Sequence, residues 1–270
     1  MSDSTGLIYR YDGTFFGMMC CVYESYYSHE IPEMIVSIEN NSSGLFGEKF
    51  IDTDDEKAER VLRSIPLKIS EEAAKLVRLA YFSCLPEKEL AVLNFLRTGY
   101  RIGRKIMLLE ELNEVQVLKK AVQHLLSEAH LLKGFVRFSE YKAGGESMLV
   151  SVIGPKNFVL PFIADHFRLR FPGEYWLIYD EVHGVAAVDK LGRVEIVPLD
   201  DLQLAAPNED EMKYRAMWRK FYDTIEIKPR HNERCRMTLL PKRYWKYMTE
   251  FVQEGSTLIR ELPGKTNKIS

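Results

Sequence analysis

The fold turns on Val115–Ile153, VQVLKKAVQHLLSEAHLLKGFVRFSEYKAGGESMLVSVI. Its first half places Val115, Leu118, Val122, Leu125, Ala129 and Leu132 at alternating spacings of three and four. That spacing draws one apolar seam along a helix. The seam reads as the core of a helix bundle rather than a dimeric coiled coil, because the helix is short and its neighbours are helical. His124 and His130 lie beside it, six residues apart and so on different faces. Gly134 then stops the pattern. Phe135–Tyr141 and Ser147–Ile153 read as strands around a Gly144-Gly145 turn. A helical region therefore gives way to a sheet near Lys133–Gly134. Three parts are expected: a mainly helical domain over 1–133, an α+β domain with basic C-terminal helices over 134–254, and a flexible tail over 255–270.

Upstream, the spacing predicts helices over Asp55–Ser64, Ser70–Ser83, Glu87–Ile102 and Glu110–Leu132. Ser70 followed by Glu71 and Glu72 is a helix-start signal. Before these, Leu7–Tyr11 reads as a strand, Asp12-Gly13-Thr14 as a turn, Phe15–Tyr27 as a helix and Met34–Ile38 as a second strand. Residues 40–47 read as a polar loop. Downstream come a helix over Lys156–Phe171 and strands over Tyr175–Asp180, Gly184–Asp189 and Val194–Pro198. Asn208 starts a helix to Ile225, and Pro241 starts a last helix through Phe251. The expected class is α+β: an N-terminal strand-helix-strand and helical bundle, an antiparallel sheet with one packed helix, then C-terminal helices.

Apolar content of 46% and charged content of 28% across 270 residues suit a globular protein with a sizeable core. No apolar run nears the roughly 20 residues of a spanning helix. Residues 1–20 lack a basic stretch followed by an apolar one, so a cytoplasmic location and no membrane association are expected. Four cysteines occur, Cys20, Cys21, Cys84 and Cys235, with no C-x-x-C and no paired Cys/His spacing. Reduced thiols are expected, with no metal and no cofactor. The phosphate-binding loop G-x-x-x-x-G-K-[ST] is absent, and so are G-x-G-x-x-G, G-x-S-x-G and H-E-x-x-H. The sequence names no reaction, and a non-enzymatic role is the favoured expectation.

Charge is unevenly placed. Residues 1–60 hold twelve acids and four bases, whereas Met212–Tyr247 hold eleven Lys/Arg against Asp223, Glu226 and Glu233. That segment stands at +8 in a chain of formal charge −2. Tyr214, Trp218, Phe221, Tyr222, Tyr244, Trp245 and Tyr247 are threaded through it. Cations contact phosphates and flat rings stack on bases, so the mixture fits a nucleic acid. It equally fits a helix with an aromatic core face and a solvated basic one. On the first reading the contacts fall to Arg219, Lys220, Arg230, Arg234, Arg236, Lys242, Arg243 and Lys246, with Arg230 through Lys246 forming one exposed positive surface. Lys242, Arg243 and Lys246 stand in the first turns of a helix, where cations are unfavourable.

A second constellation lies on the helix over Lys156–Phe171. His166 and Arg170 fall, one turn apart, in the middle of its apolar stripe. A buried Arg needs an acceptor, and Glu140 and Asp180 at strand ends are candidates. The four define either a polar network fixing helix to sheet or a pocket.

Several strings together carry a resemblance. They are Tyr11-Asp12-Gly13-Thr14-Phe15-Phe16-Gly17, Arg137-Phe138-Ser139-Glu140, His166-Phe167, Arg170-Phe171-Pro172-Gly173 and Trp176-Leu177-Ile178-Tyr179-Asp180. Met217-Trp218-Arg219-Lys220-Phe221, Arg230-His231-Asn232 and Leu240-Pro241-Lys242-Arg243-Tyr244-Trp245-Lys246 follow. In their order and spacing, over about residues 7–252, the chain resembles a bacterial family assigned to DNA metabolism or repair, of unknown function. Its members are associated with a radical-SAM protein, and in some bacteria a similar region is fused to a uracil-DNA glycosylase. The family pattern often has Pro after Asn232 and Gln at position 236, where this chain has Glu233 and Arg236. No glycosylase loop is present. The resemblance implies a DNA-related setting, with nucleic acid (DNA before RNA) and a radical-SAM protein as partners, and not an activity.

Overall fold

The computed structural model describes residues 6–38, 47–143, 146–190, 192–200, 202, 217 and 241–248. The expected helix from Asn208 to Ile225 and the tail over 255–270 lie outside this set, apart from Met217. The chain divides into two compact units, Met1–Leu126 and Ser127–Ser270.

The first unit opens on a three-stranded parallel sheet in the order β2-β1-β3, formed by β1 (Ile8–Tyr11), β2 (Met34–Ser37) and β3 (Glu48–Phe50). Tyr9 pairs with Ile35 on one side and Lys49 on the other, so β1 is central, and all four of its residues are buried. Helix α1 (Phe15–Tyr27) joins β1 to β2, as a parallel pairing requires. Thr14 caps it by accepting the Gly17 N–H. A Cβ on Gly17 would sit 2.2 Å from Asp12 Oδ1, so position 17 tolerates no side chain. The sequence shows the strand-helix-strand part. It hides β3, a three-residue strand held by charge: the Arg10 guanidinium donates to both Glu48 carboxylate oxygens at 2.8 Å.

Four α-helices and a 3-10 helix over Gly103–Leu108 complete the unit within the described residues: the α-helices are α2 (Asp55–Lys68), α3 (Glu71–Tyr81), α4 (Lys88–Ile102) and the start of α5 (Asn113–Phe135). Ser70 caps α3 as expected, accepting the Ala73 N–H. Helix α2 runs four residues past its expected end and contains Pro66. Proline costs helix stability because it lacks the N–H and crowds the preceding turn. Ile65 and Ile69, both fully buried, hold that turn against the core and outweigh the cost. Val115, Leu118 and Val122 from the seam join the same core.

The second unit holds a five-stranded sheet in the order β4-β5-β6-β7-β8: Ser139–Ala143, Glu146–Ile153, Trp176–Asp180, Val185–Lys190 and Arg193–Pro198. The α+β class holds. The sheet is mixed rather than wholly antiparallel, because β5 and β6 run parallel. Between them α6 (Leu160–Arg170) carries the chain back, and a helical crossover returns the next strand in the same direction. Helix α6 starts at Leu160, later than expected, with Pro161 in its first turn. Phe138 meets Phe167, Phe171 and Trp176 edge to face around its end, 5.4 Å from Phe167 and 5.1 Å from Phe171 between ring centroids, while Phe167 and Phe171 stack. After β8 the next described element is a 3-10 helix over Lys242–Tyr247, where an α-helix was expected.

Candidate nucleic-acid interface

The basic segment ends on an anchor built around Glu128. This residue lies on α5 beside the seam, next to Ala129, three after Leu125 and four before Leu132, and is 3% exposed. An acid there needs donors, and it has several. Its carboxylate accepts the backbone N–H of Lys156 at 3.0 Å and of Asn157 at 2.8 Å. It also accepts from the Asn157 amide, the Arg243 guanidinium and the Tyr244 hydroxyl. Burial pushes the Glu128 carboxyl up, but the Tyr244, Lys156 and Asn157 hydrogen bonds outweigh it and hold the group below the usual carboxylate range. Tyr244 is 1% exposed, and burial beside Glu128 raises its hydroxyl well above the ordinary phenol value.

The next turn is fixed by a second acid. Glu181, just past β6, accepts from Lys246 Nζ and from the Tyr247 hydroxyl. Tyr247 lies directly over Gly154 at the end of β5: a Cβ there would fall 1.9 Å from the tyrosine oxygen. Lys242 is exposed, its ammonium 5.8 Å from the Trp245 ring centroid. The short helix thus alternates inward anchors, Arg243, Tyr244 and Met248, with outward cations, Lys242 and Lys246.

Of the expected nucleic-acid contacts, Arg219, Lys220, Arg230, Arg234 and Arg236 lie outside the described residues, as does His231. Lys242 and Lys246 are exposed as expected. Arg243 is not part of an exposed surface: it turns inward to Glu128, because a buried carboxylate demands a cation more strongly than solvent does.

Glu140, His166, Arg170 and Asp180 come together neither as the polar network nor as the pocket that the sequence offered. Arg170 is exposed, and its guanidinium lies 6.0 Å from the Phe171 ring centroid. Arg170 is the last residue of α6, and at the helix end its side chain reaches solvent instead of packing within the apolar stripe. His166 is half-buried, edge-on to Phe167 at 5.0 Å. Burial, with help from Lys133 and Arg170, holds its imidazole below the ordinary histidine value. Glu140 accepts from Ser147 across the β4–β5 ladder. Asp180 is fully buried but turns to its own loop, taking the Val182 N–H at 3.1 Å and His183 Nδ1 at 2.6 Å. The sequence reading missed His183, whose position three residues after Asp180 at a strand end was the available signal. Glu128 was missed too, although its place three after Leu125 and four before Leu132, flanking the seam, was the available signal. Among the described residues no group of three or more His, Cys, Asp or Glu side chains is placed to hold a metal ion.

Residues 86–250 match the family model DUF4130, a domain of unknown function, over well more than half of the chain. The chain belongs to the DUF4130 family. No curated protein and no solved structure matches it. The DUF4130 stretch contains Glu128, Gly154, Glu181 and the 3-10 helix, so the whole anchor lies inside it. Helix α1 and the parallel sheet precede it. Among the described residues of this DUF4130 protein no helix is long and apolar enough to cross a membrane.

Proposed function

We propose that this DUF4130 protein binds nucleic acid through its basic C-terminal segment, DNA before RNA, as an accessory protein of DNA metabolism or repair that works beside a radical-SAM protein. The observation that supports this reading is the Glu128 anchor. A buried carboxylate is costly to maintain, and here it fixes the end of the most cation-rich segment of the chain. Its effect is to hold Arg243 and Tyr244 inward and leave Lys242 and Lys246 facing outward. Lys246 shares Glu181 in an exposed pair, which is worth little in water and exchanges readily for a phosphate. Arg219, Lys220, Arg230, Arg234 and Arg236 supply further charge along the same segment. Nothing in this arrangement calls for a bond-breaking step, so the role is to hold a strand or present it to an enzyme.

The test is binding of the full chain to labelled single- and double-stranded DNA at low ionic strength, alongside Lys242→Glu/Lys246→Glu. Wild type is expected to bind and the double variant to lose affinity on every sequence alike. Co-elution with the radical-SAM protein, lost in the same variant without any DNA affinity in wild type, would overturn the reading.

A further inference from the structure

The first unit carries a cleft that the C-terminal segment does not explain. Tyr23, Tyr26 and Tyr27 occupy positions i, i+3 and i+4 of α1 and therefore share one face. Tyr23 and Tyr27 stack at 6.0 Å and 15°, and Tyr26 meets Tyr100 of α4 edge-on at 5.6 Å. Such rings normally turn into a core, yet Tyr26 is 40% and Tyr27 72% exposed. With Val22 and Val61 they floor a cleft of about 530 Å³ between α1, α2 and α4. That size falls within the roughly 300–1,000 Å³ of small-ligand sites.

The rim is cationic. Arg60 and Lys68 of α2 line the cleft, and Lys68 Nζ lies 5.7 Å from the Tyr100 ring centroid. Arg97 of α4 sits 5.6 Å over Tyr26 and donates to the Ser25 hydroxyl. Among the described residues none of these three cations pairs with a carboxylate. The surrounding sequence is acid-rich, so cations that meet tyrosines and no described carboxylate stand out. The Ser64 and Tyr100 hydroxyls, 2.6 Å apart, add polar groups inside. A second groove of about 490 Å³ leads on from Tyr26 past Arg97 to Arg101, with Glu114 on its wall opposing part of that charge.

We infer that this tyrosine cleft binds a nucleotide unit, a base stacked on the exposed tyrosine face with its phosphate on Arg60 and Lys68. Stacked aromatics beside free cations are what a flat ring joined to an anion requires. The shared chemistry fits a free nucleoside monophosphate or one residue of a single strand, with the adjoining groove taking the next phosphate. The inference stands on the first unit alone and does not depend on the C-terminal segment.

The experiment measures affinities of the full chain for AMP, adenosine, inorganic phosphate and a short oligothymidylate at low ionic strength. The variants are Tyr27→Ala, Arg60→Gln and Lys242→Ala/Lys246→Ala. Tyr27 and Arg60 are exposed, so these changes leave the core intact. AMP is expected to bind more tightly than adenosine or phosphate. Tyr27→Ala is expected to weaken it by about five- to 150-fold, the range of one base–aromatic stack. Arg60→Gln should weaken AMP and leave adenosine unchanged. A cleft built for strands shows the same losses with the oligonucleotide and little AMP binding. The inference is overturned if neither ligand binds, or if binding ignores Tyr27 and Arg60 and responds only to Lys242 and Lys246. The latter result would leave the proposed function standing. It is also overturned if Tyr27→Ala abolishes a concentration-dependent dimer while nucleotide affinity stays unchanged.

Discussion

Tyr244 donates its hydroxyl proton to Glu128, a residue 116 positions earlier in the chain, and both side chains are buried. The bond ties the last described helix to α5. It also decides which residues of a strongly basic stretch face solvent. Arg243 shares the same carboxylate, so one acid neutralises one cation of the segment and leaves Lys242 and Lys246 to the outside.

Glu128→Ala should therefore destabilise the second unit strongly. It leaves a partly buried Arg243 and two backbone N–H groups without their acceptor, and breaking such a pair costs about 3–5 kcal/mol. Denaturant melts check this. Limited proteolysis should show earlier cleavage near 241–248 in the variant. An unchanged midpoint would mean that the anchor contributes nothing.

Acid should release the same anchor. The folded Glu128 carboxyl sits below the ordinary value of 4.5. A depressed carboxylate contributes stability that is fully present above its unfolded value and is lost as pH falls through the folded one. Undocking is thus expected below about pH 4.5 and not on the neutral side. Comparing the acid limb of stability in wild type and Glu128→Gln tests it, because the amide cannot titrate. The wild-type limb should be the steeper. Identical limbs would contradict the assignment.

Gly154→Ala tests the neighbouring contact. The new methyl would meet the Tyr247 ring, and overpacking of this kind costs roughly 1–3 kcal/mol. Tyr247→Ala should rescue it by opening the space, giving a positive coupling in a double-mutant cycle. Additive effects would show that the two residues do not touch in solution.

Much of the fold was legible in the sequence because it is written in periodicity. The α5 seam, the Ser70 cap and the change after Gly134 each report a local pattern. What was not legible depends on contacts between distant residues. β3 has only three residues and is held by Glu48 and Lys49 to partners elsewhere. The parallel β5–β6 pairing follows from where α6 returns the chain. The site was less legible still. Lys242 and Lys246 are outward, as their charge suggests, but Arg243 looks identical to them in sequence and is an anchor. Arg170 was expected to be buried because it falls in the middle of the apolar stripe of its helix; it stands at the last residue of α6, exposed. The exposed tyrosines of α1 were read simply as helix residues, since helical spacing does not say whether an aromatic face is covered.

The most direct test of nucleic-acid binding is the salt dependence of DNA affinity in wild type and Lys242→Ala/Lys246→Ala. Phosphate contacts release counterions, so log K should fall linearly with log salt. Removing the two outward lysines should lower the slope by about one and a half to two units without changing sequence preference. Absence of salt-sensitive binding to either DNA or RNA in wild type, or a slope unchanged by the loss of both lysines, would contradict it.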